Sequence, residues 1–127
     1  MGKVSLLGLI LLMQLSATSY ASMKNNLECY VFINSSVPTQ LALFLDFNEE
    51  YYLSPTLQNK GKVTFINISN QLISNIYIIP IINDTQGIWV RKFKPQSLPT
   101  VFIIHNKKNL LRAITTTAEI RQCLQGK

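Results

Sequence analysis

The sequence predicts an α/β domain of three layers, built from a βαβ unit that is followed by a β-hairpin and a C-terminal helix. Residues 27–34 are dense in Cys, Tyr, Val, Phe and Ile, which is typical of a strand buried on both faces. From residue 39 to residue 53 the apolar residues recur at mostly helical spacing. Two further apolar runs, 101–105 and 110–115, flank a polar turn at 106–109 and predict the hairpin.

The N-terminus has the pattern of a secretory signal peptide. Lys3 supplies a positive charge, a short apolar run follows, and Ser19 and Ala21 are small residues at the −3 and −1 positions of a cleavage site. We expect cleavage after Ala21, which divides the chain into a signal peptide of residues 1–21 and a mature periplasmic domain of residues 22–127. An uncleaved N-terminal anchor is the alternative.

The chain between the first helix and the hairpin gives weaker patterns. Residues 62–68 alternate at their start and predict a second strand. A short helix is expected next, with Leu72, Ile73 and Ile76 on its inner face. Residues 78–83 are rich in β-branched side chains and favour extended chain.

Proline and a capping pattern delimit the remaining elements. Pro80 argues against a central strand in the extended segment, since proline cannot donate to a sheet. Residues 88–93 fit a strand or a short helix. Thr116 is followed three residues later by Glu119, and this capping box predicts a final helix that runs through Leu124.

The charge pattern and the histidine count argue against several classes of function. Once Lys3 is removed, eleven Lys and Arg remain against six Asp and Glu, a net charge of +5. One cluster of basic and aromatic residues at 89–94 is too little for a nucleic-acid groove, so a solvated basic face near an acidic partner or a membrane surface is the preferred interpretation. The single histidine, His105, has no metal-ligand spacing around it. We expect no metal, no cofactor, no nucleic acid and no small-molecule substrate.

Two motifs carry a resemblance to a known fold. Residues 30–38, Tyr-Val-Phe-Ile-Asn-Ser-Ser-Val-Pro, run from a strand into a helix, and Phe93 is followed by Leu98-Pro99-Thr100-Val101-Phe102. With the order of elements, these motifs resemble a thioredoxin-like domain, and within that superfamily they are similar to the TrbC family of type-F conjugative pilus assembly. Val37 stands where that family usually has methionine.

The resemblance implies a scaffold without the dithiol chemistry of its superfamily. The turn that normally reads Cys-x-x-Cys is Ser36-Val37-Pro38-Thr39 here, and a hydroxyl can neither form a stable nucleophilic anion nor store electrons as a disulfide. We therefore expect no catalytic residue and no enzyme activity. Ser36 is expected to be the N-cap of the first helix, and Leu98–Pro99 is expected to be cis, with a trans loop proline as the alternative.

The two cysteines, Cys29 and Cys123, leave two interpretations open. In a thioredoxin-like layout both lie at the end of the domain away from the Ser36 turn, so a structural disulfide fits. Two buried free thiols are the other interpretation.

The resulting hypothesis is a non-catalytic periplasmic assembly factor of a type-F conjugative pilus or related type IV secretion system. Its partners would be other periplasmic pilus-assembly proteins, and it would meet the membrane only during export. The residues expected to bind partners are Ser36, Pro38, Trp89, Arg91, Leu98, Pro99 and Thr100. The alternatives are a divergent exported thiol–disulfide protein of the redoxin type that uses Cys29 or Cys123, and a secreted host-directed binding protein.

Overall fold

The computed structural model describes residues 27–105, 108–113 and 117–125. The predicted signal peptide and cleavage site, the tip of the hairpin turn and the capping residue Thr116 lie outside those residues. The elements are, in chain order, β1 (Leu27–Ile33), α1 (Pro38–Tyr52), α2 (Pro55–Gln58), β2 (Lys62–Asn67), β3 (Ile81–Asn83), α3 (Ile88–Phe93), β4 (Thr100–His105), β5 (Lys108–Ala113) and α4 (Thr117–Leu124).

The strands form one mixed sheet in the order β3-β2-β1-β4-β5. β1 and β2 are parallel, as are β2 and β3, whereas β4 runs antiparallel to both β1 and β5. The βαβ unit and the β-hairpin of the predicted fold are both present. β3 is an edge strand that begins immediately after Pro80, which fits the rule that proline avoids central strands.

Helices cover the sheet on both faces, and this confirms the predicted three layers. On one face α1 and α4 bury the main core, where Phe44 and Phe47 pack with Phe65 of β2. On the other face α3 packs on a smaller cluster around Phe32 and Phe102. Consecutive residues of β1 alternate between the two clusters, because neighbouring side chains of a strand point to opposite faces.

The segment between β2 and β3 differs from the sequence expectation. Residues 68–80 contain no helix, so the helix predicted around Leu72, Ile73 and Ile76 is wrong. Ile73 and Ile79 are buried in the main core, and the Tyr77 ring lies edge-on to Phe44. We call residues 68–80 the crossover. Ile73, Tyr77 and Ile79 hold it on the sheet, although it has no continuous amphipathic face.

α3 resolves the ambiguity of residues 88–93 in favour of a short helix. Its first turn is held by Asp84, whose carboxylate oxygens accept hydrogen bonds from the backbone N–H of Trp89 (3.1 Å) and Val90 (3.0 Å). Gly87 precedes the helix at φ 71°, a left-handed conformation that glycine adopts without a side-chain clash.

Among the described residues, no helix is long and apolar enough to cross a bilayer.

Candidate functional site

The candidate site is the end of the sheet where β1 finishes and β4 begins. Phe32 is the register partner of Thr100, so the turn after β1 and the segment Leu98–Pro99 before β4 meet at the same end. The peptide bond between Leu98 and Pro99 is cis, as the sequence predicted. We call this end of the sheet, with Ser36, Pro38, Leu98 and Pro99, the proline corner.

Ser36 does not cap α1, and that expectation is wrong. The N-cap position belongs to Val37, which makes no side-chain cap hydrogen bond. The Ser36 hydroxyl instead donates to the Asn34 side-chain oxygen, which also accepts from the Ser36 backbone N–H at 3.0 Å. The Asn34 side chain therefore stabilises a local turn over residues 34–36. Ser36 remains exposed at the surface of the proline corner.

Accessibility differs among the residues expected to bind a partner. Ser36 and Pro38 are exposed, and Leu98 and Pro99 are half-buried. Thr100 is 1% exposed and is paired on both sides, with Phe32 of β1 and Ala113 of β5, so a partner at this position would contact the residues around it. Partner binding by these residues stays a prediction.

The other two expected partner residues lie on α3 and are only partly connected to the corner. Trp89 and Leu98 both pack on the cluster around Phe32. The Trp89 ring, however, contacts Tyr30, which lies two residues before Phe32 on β1 and is therefore further from the proline corner. Arg91 is exposed and donates from Nη1 to the backbone oxygen of Gln86 at 2.9 Å. The structure thus divides the predicted surface into the proline corner and a separate face on α3.

Tyr30 is the polar member of the aromatic cluster beneath α3. Its hydroxyl donates to the Glu28 carboxylate at 3.1 Å. Burial raises the pKa of Tyr30 above its ordinary value of 10.0, and the hydrogen bond and negative charge of Glu28 raise it further. The phenol therefore stays protonated and uncharged at neutral pH.

A buried polar network behind the corner was not anticipated from the sequence. The side chain of Asn67, at the end of β2, is fully buried and makes four hydrogen bonds. Its oxygen accepts from the backbone N–H of Ser35 (3.0 Å) and Ser69 (3.2 Å), and its nitrogen donates to the Gln71 backbone oxygen (2.9 Å) and the Asn83 side-chain oxygen (3.1 Å). Asn67 therefore fixes the turn after β1 relative to the crossover.

The only sequence signal for this network was the placement of two asparagines at strand ends. Asn67 ends β2 and Asn83 ends β3, and parallel strands bring their carboxyl ends together. An open cleft of about 480 Å³ lies above the network, lined by Asn34, Ser36 and residues 68–71. Its lining side chains are neutral, and no group of three or more His, Cys, Asp and Glu that could hold a metal ion occurs among the described residues.

The two cysteines lie at the other end of the domain and are joined. The Cys29–Cys123 disulfide links β1 to the last turn of α4, with an S–S distance of 2.03 Å and a Cα–Cα distance of 6.4 Å. This confirms the disulfide interpretation over that of two free thiols. Both residues are buried, with exposures of 1% and 0%.

Comparison with known proteins assigns the fold. No protein-family model matches the chain, and no curated protein matches it. Solved structures do match. The exposed lipoprotein thioredoxin Etrx1 of Streptococcus pneumoniae has a TM-score of 0.61 at 15% identity, covering 84% of this chain and 89% of that one. A thiol:disulfide interchange protein of Chlorobium tepidum has a TM-score of 0.57 at 19% identity, covering 84% and 82%.

A third structure, a secreted disulfide oxidoreductase of Mycobacterium tuberculosis homologous to E. coli DsbE, has a TM-score of 0.54 at 16% identity, covering 84% of this chain and 86% of that one. At these identities the likeness establishes a shared fold, and the chain has a thioredoxin-like fold. The neighbours are named as interchange proteins and oxidoreductases, which are enzymes, and this contradicts our expectation that the chain belongs to a non-enzymatic type. That expectation rested on the hydroxyl of Ser36, whereas the alternative drawn from the sequence, a redoxin-type protein that uses Cys29 or Cys123, is the one that these neighbours favour.

Proposed function

We propose that the chain is an exported thiol–disulfide protein of the redoxin type, with Cys29 and Cys123 as its redox-capable pair. The observation that carries the proposal is that the two cysteines of the chain are joined to each other. The similar structures of an exposed lipoprotein, an interchange protein and a secreted oxidoreductase support both the chemistry and the location outside the cytoplasm.

The reaction would transfer the disulfide to a polypeptide that carries two thiols. A substrate thiolate attacks Sγ of Cys123, which breaks the bond to Cys29, forms a mixed disulfide and releases the Cys29 thiolate. The second substrate thiolate then attacks the substrate sulfur of the mixed disulfide, and Cys123 leaves as a thiolate. The substrate ends oxidised, and the protein holds two thiols after it takes up two electrons and two protons.

Access to the sulfur atoms sets the rate of this exchange. Cys123 lies one residue before the end of α4, so fraying of the last turn exposes it without unfolding the sheet. One ion pair opposes that motion, since Arg121 of α4 contacts Glu50 of α1 at 2.9 Å. Exchange should therefore be slow and should depend on how firmly α4 is held. It should also need an excess of substrate thiols, because a disulfide that stabilises the fold is harder to reduce.

A thiol-trapping experiment tests the proposal. The oxidised chain is mixed in native buffer with a reduced, unfolded protein that carries two thiols. The reduction of the Cys29–Cys123 disulfide is followed by trapping the thiols that appear. Glu50→Gln should raise the rate several-fold, because it removes the ion pair that holds α4. Asp46→Asn is the matched control, since it removes an exposed acid from the same helix without a contact to Arg121.

Two outcomes would contradict the proposal. One is exchange that occurs only at denaturant concentrations that unfold the whole domain, because the disulfide would then be structural alone. The other is an equal response to Glu50→Gln and Asp46→Asn. With Cys29→Ala, the remaining Cys123 thiol should form a mixed disulfide with a disulfide-bearing substrate and should stay trapped in it.

A second candidate function is recognition of periplasmic pilus-assembly proteins, as the resemblance to the TrbC family implies. It is favoured by the proline corner, where Ser36 and Pro38 of the first motif lie at the same end of the sheet as Leu98 and Pro99 of the second. Co-purification of type-F pilus-assembly proteins with the parent chain but not with Leu98→Arg would support it. Failure of the parent chain to retain those proteins would remove it, and would leave the thiol–disulfide proposal intact.

A further inference from the structure

Charge is distributed unequally between the two helical layers. Among the described helices, α1 carries Asp46, Glu49 and Glu50, and α4 carries Glu119 against Arg121. The layer on the other face of the sheet consists of α3, which has no acidic residue and ends in three cations, Arg91, Lys92 and Lys94. Two acids also lie on the α3 side, but Asp84 is buried and holds the first turn of α3, and Glu28 is bonded to Tyr30 beneath it. The outward surface of α3 is therefore basic, whereas the helical layer on the opposite face is acidic.

The outward face of α3 is apolar as well as basic. Trp89, Val90 and Phe93 pack on the sheet, so the side chains that remain toward solvent are Ile88, Arg91 and Lys92. These three are spaced three and four residues apart and share one face of the helix. Ile88 is 56% exposed and lies one helical turn before the two cations.

The lysine that flanks this face is held against the aromatic rings. Nζ of Lys92 lies 5.5 Å from the ring centroid of Trp89 and 5.6 Å from that of Phe93. Those two rings are stacked, with centroids 5.9 Å apart and planes inclined by 3°. The exposed Lys92 therefore keeps its ammonium group close to an aromatic surface, an arrangement that suits an interface where water gives way to hydrocarbon.

We propose that α3 docks the domain on an anionic phospholipid bilayer, with Ile88 inserted among the headgroups and Arg91, Lys92 and Lys94 against lipid phosphates. The acidic layer of α1 and α4 then faces away from the bilayer, so the charge asymmetry sets one orientation. This contact goes beyond the thiol–disulfide function and beyond a membrane encounter limited to export.

The shape of the surface favours a bilayer over an acidic protein. The exposed isoleucine is the first residue of a six-residue helix, and the basic residues follow it in the last turn and at the C-cap. A protein partner would need a matching pocket for Ile88, whereas a bilayer offers hydrocarbon beneath any part of its charged surface. Partial membrane contact of this kind needs no spanning helix.

The single tryptophan of the chain makes the proposal testable at the site itself. Trp89 is the only tryptophan, and it lies on α3. The protein is purified from the periplasm of expressing cells, in the form that export leaves, and is mixed with phosphatidylcholine vesicles with and without 30% phosphatidylglycerol, a fraction of about one-third chosen to give a strong negative surface potential. Sedimentation measures binding, and quenching of Trp89 by brominated lipid reports whether α3 contacts the acyl region.

Matched double variants separate the α3 face from net charge. Lys92→Gln/Lys94→Gln should weaken binding to anionic vesicles roughly 25-fold, at about fivefold for each lysine. Lys60→Gln/Lys62→Gln removes the same charge from exposed positions beside α2 and β2, and should weaken it far less. Ile88→Ser should weaken binding about tenfold and abolish the quenching.

Three results would overturn the proposal. The first is equal binding to neutral and anionic vesicles, since the cations would then have no role. The second is an equal loss in both lysine doubles. The third is binding of polyglutamate in preference to anionic vesicles, without quenching of Trp89 by brominated lipid, which would assign the face to an acidic polypeptide.

Discussion

Replacement of Asn67 by alanine should cost a large part of the stability of the domain. The side chain is fully buried and makes four hydrogen bonds of 2.9 to 3.2 Å. Truncation removes the acceptor of two backbone N–H groups, those of Ser35 and Ser69, and each buried unsatisfied group costs about 1–3 kcal/mol. The Gln71 oxygen keeps the Ser35 hydroxyl and the Asn83 side-chain oxygen keeps the Ile73 N–H, so these two acceptors lose one bond each without being left unpaired. Partial relaxation and water entry reduce the sum, so we expect a loss of roughly 3–5 kcal/mol.

Urea unfolding followed by far-ultraviolet circular dichroism measures this loss. With a slope of about 1.5 kcal/mol per molar urea, a loss of about 4 kcal/mol lowers the midpoint by about 2.5 M. Asn70→Ala is the control, because Asn70 is an exposed residue of the same segment and should change stability by less than about 0.5 kcal/mol.

The network also predicts coupling between two sites. Asn83 shares one hydrogen bond with Asn67 and holds the backbone N–H and oxygen of Ile73 with its own side chain. The losses from Asn67→Ala and Asn83→Ala should therefore not add in the double variant. A loss below about 1 kcal/mol for Asn67→Ala, or one equal to that of Asn70→Ala, would refute the role assigned to the network.

The disulfide, the cap of α3 and the Tyr30–Glu28 hydrogen bond each give a further testable outcome. Cys29→Ala/Cys123→Ala should lower the free energy of unfolding by about 4–5 kcal/mol in the chain-entropy model, since the bond closes a sequence separation of 94 residues, and chemical unfolding measures it. Asp84→Ala should cost about 1–2 kcal/mol and shift the tryptophan emission to the red, because the first turn of α3 loses its two side-chain acceptors; unchanged emission would contradict this. The folded protein holds the Tyr30 proton more tightly than the unfolded chain, so this contribution to stability is complete below pH 10.0 and is lost as the pH rises above it. Glu28→Gln should lower the pKa of Tyr30 in an alkaline NMR titration, and an unchanged value would show that burial acts alone.

The sequence predicted those parts of the fold whose signals are local. The buried run before Ser36 and the hairpin around residues 106–109 became strands, and the helical spacing after residue 39 became α1. The spacing of Cys29 and Cys123 allowed a disulfide only after a fold had been assumed, because two positions so far apart in sequence have no local pattern that joins them.

The parts that failed depend on contacts between distant segments. The crossover was expected to be helical because its apolar residues are closely spaced, yet Ile73 and Ile79 enter the core from a chain that has no helix. The side chain of Asn83 helps to hold the crossover in this non-helical form, because it accepts from the backbone N–H of Ile73 and donates to the backbone oxygen of Ile73. A helix over these residues would satisfy its own backbone, so the asparagine replaces a helical hydrogen-bonding pattern that the local sequence favours. The prediction that Ser36 caps α1 was wrong for a similar reason, because the Ser36 hydroxyl and backbone N–H both donate to the side-chain oxygen of Asn34 instead.

The positions of the disulfide and the proline corner bear on how the two could cooperate. Cys29 lies four residues before the end of β1, and at about 3.3 Å per residue the disulfide lies about 13 Å from that end. A polypeptide held at Leu98–Pro99 must therefore extend along the domain by roughly four residues before a thiol reaches Cys123. If the corner delivers substrates to the disulfide, Leu98→Arg should slow exchange with a long thiol-bearing polypeptide and leave exchange with a small dithiol unchanged. An equal effect on both substrates would show that the corner and the disulfide act separately, and that substrates approach α4 directly.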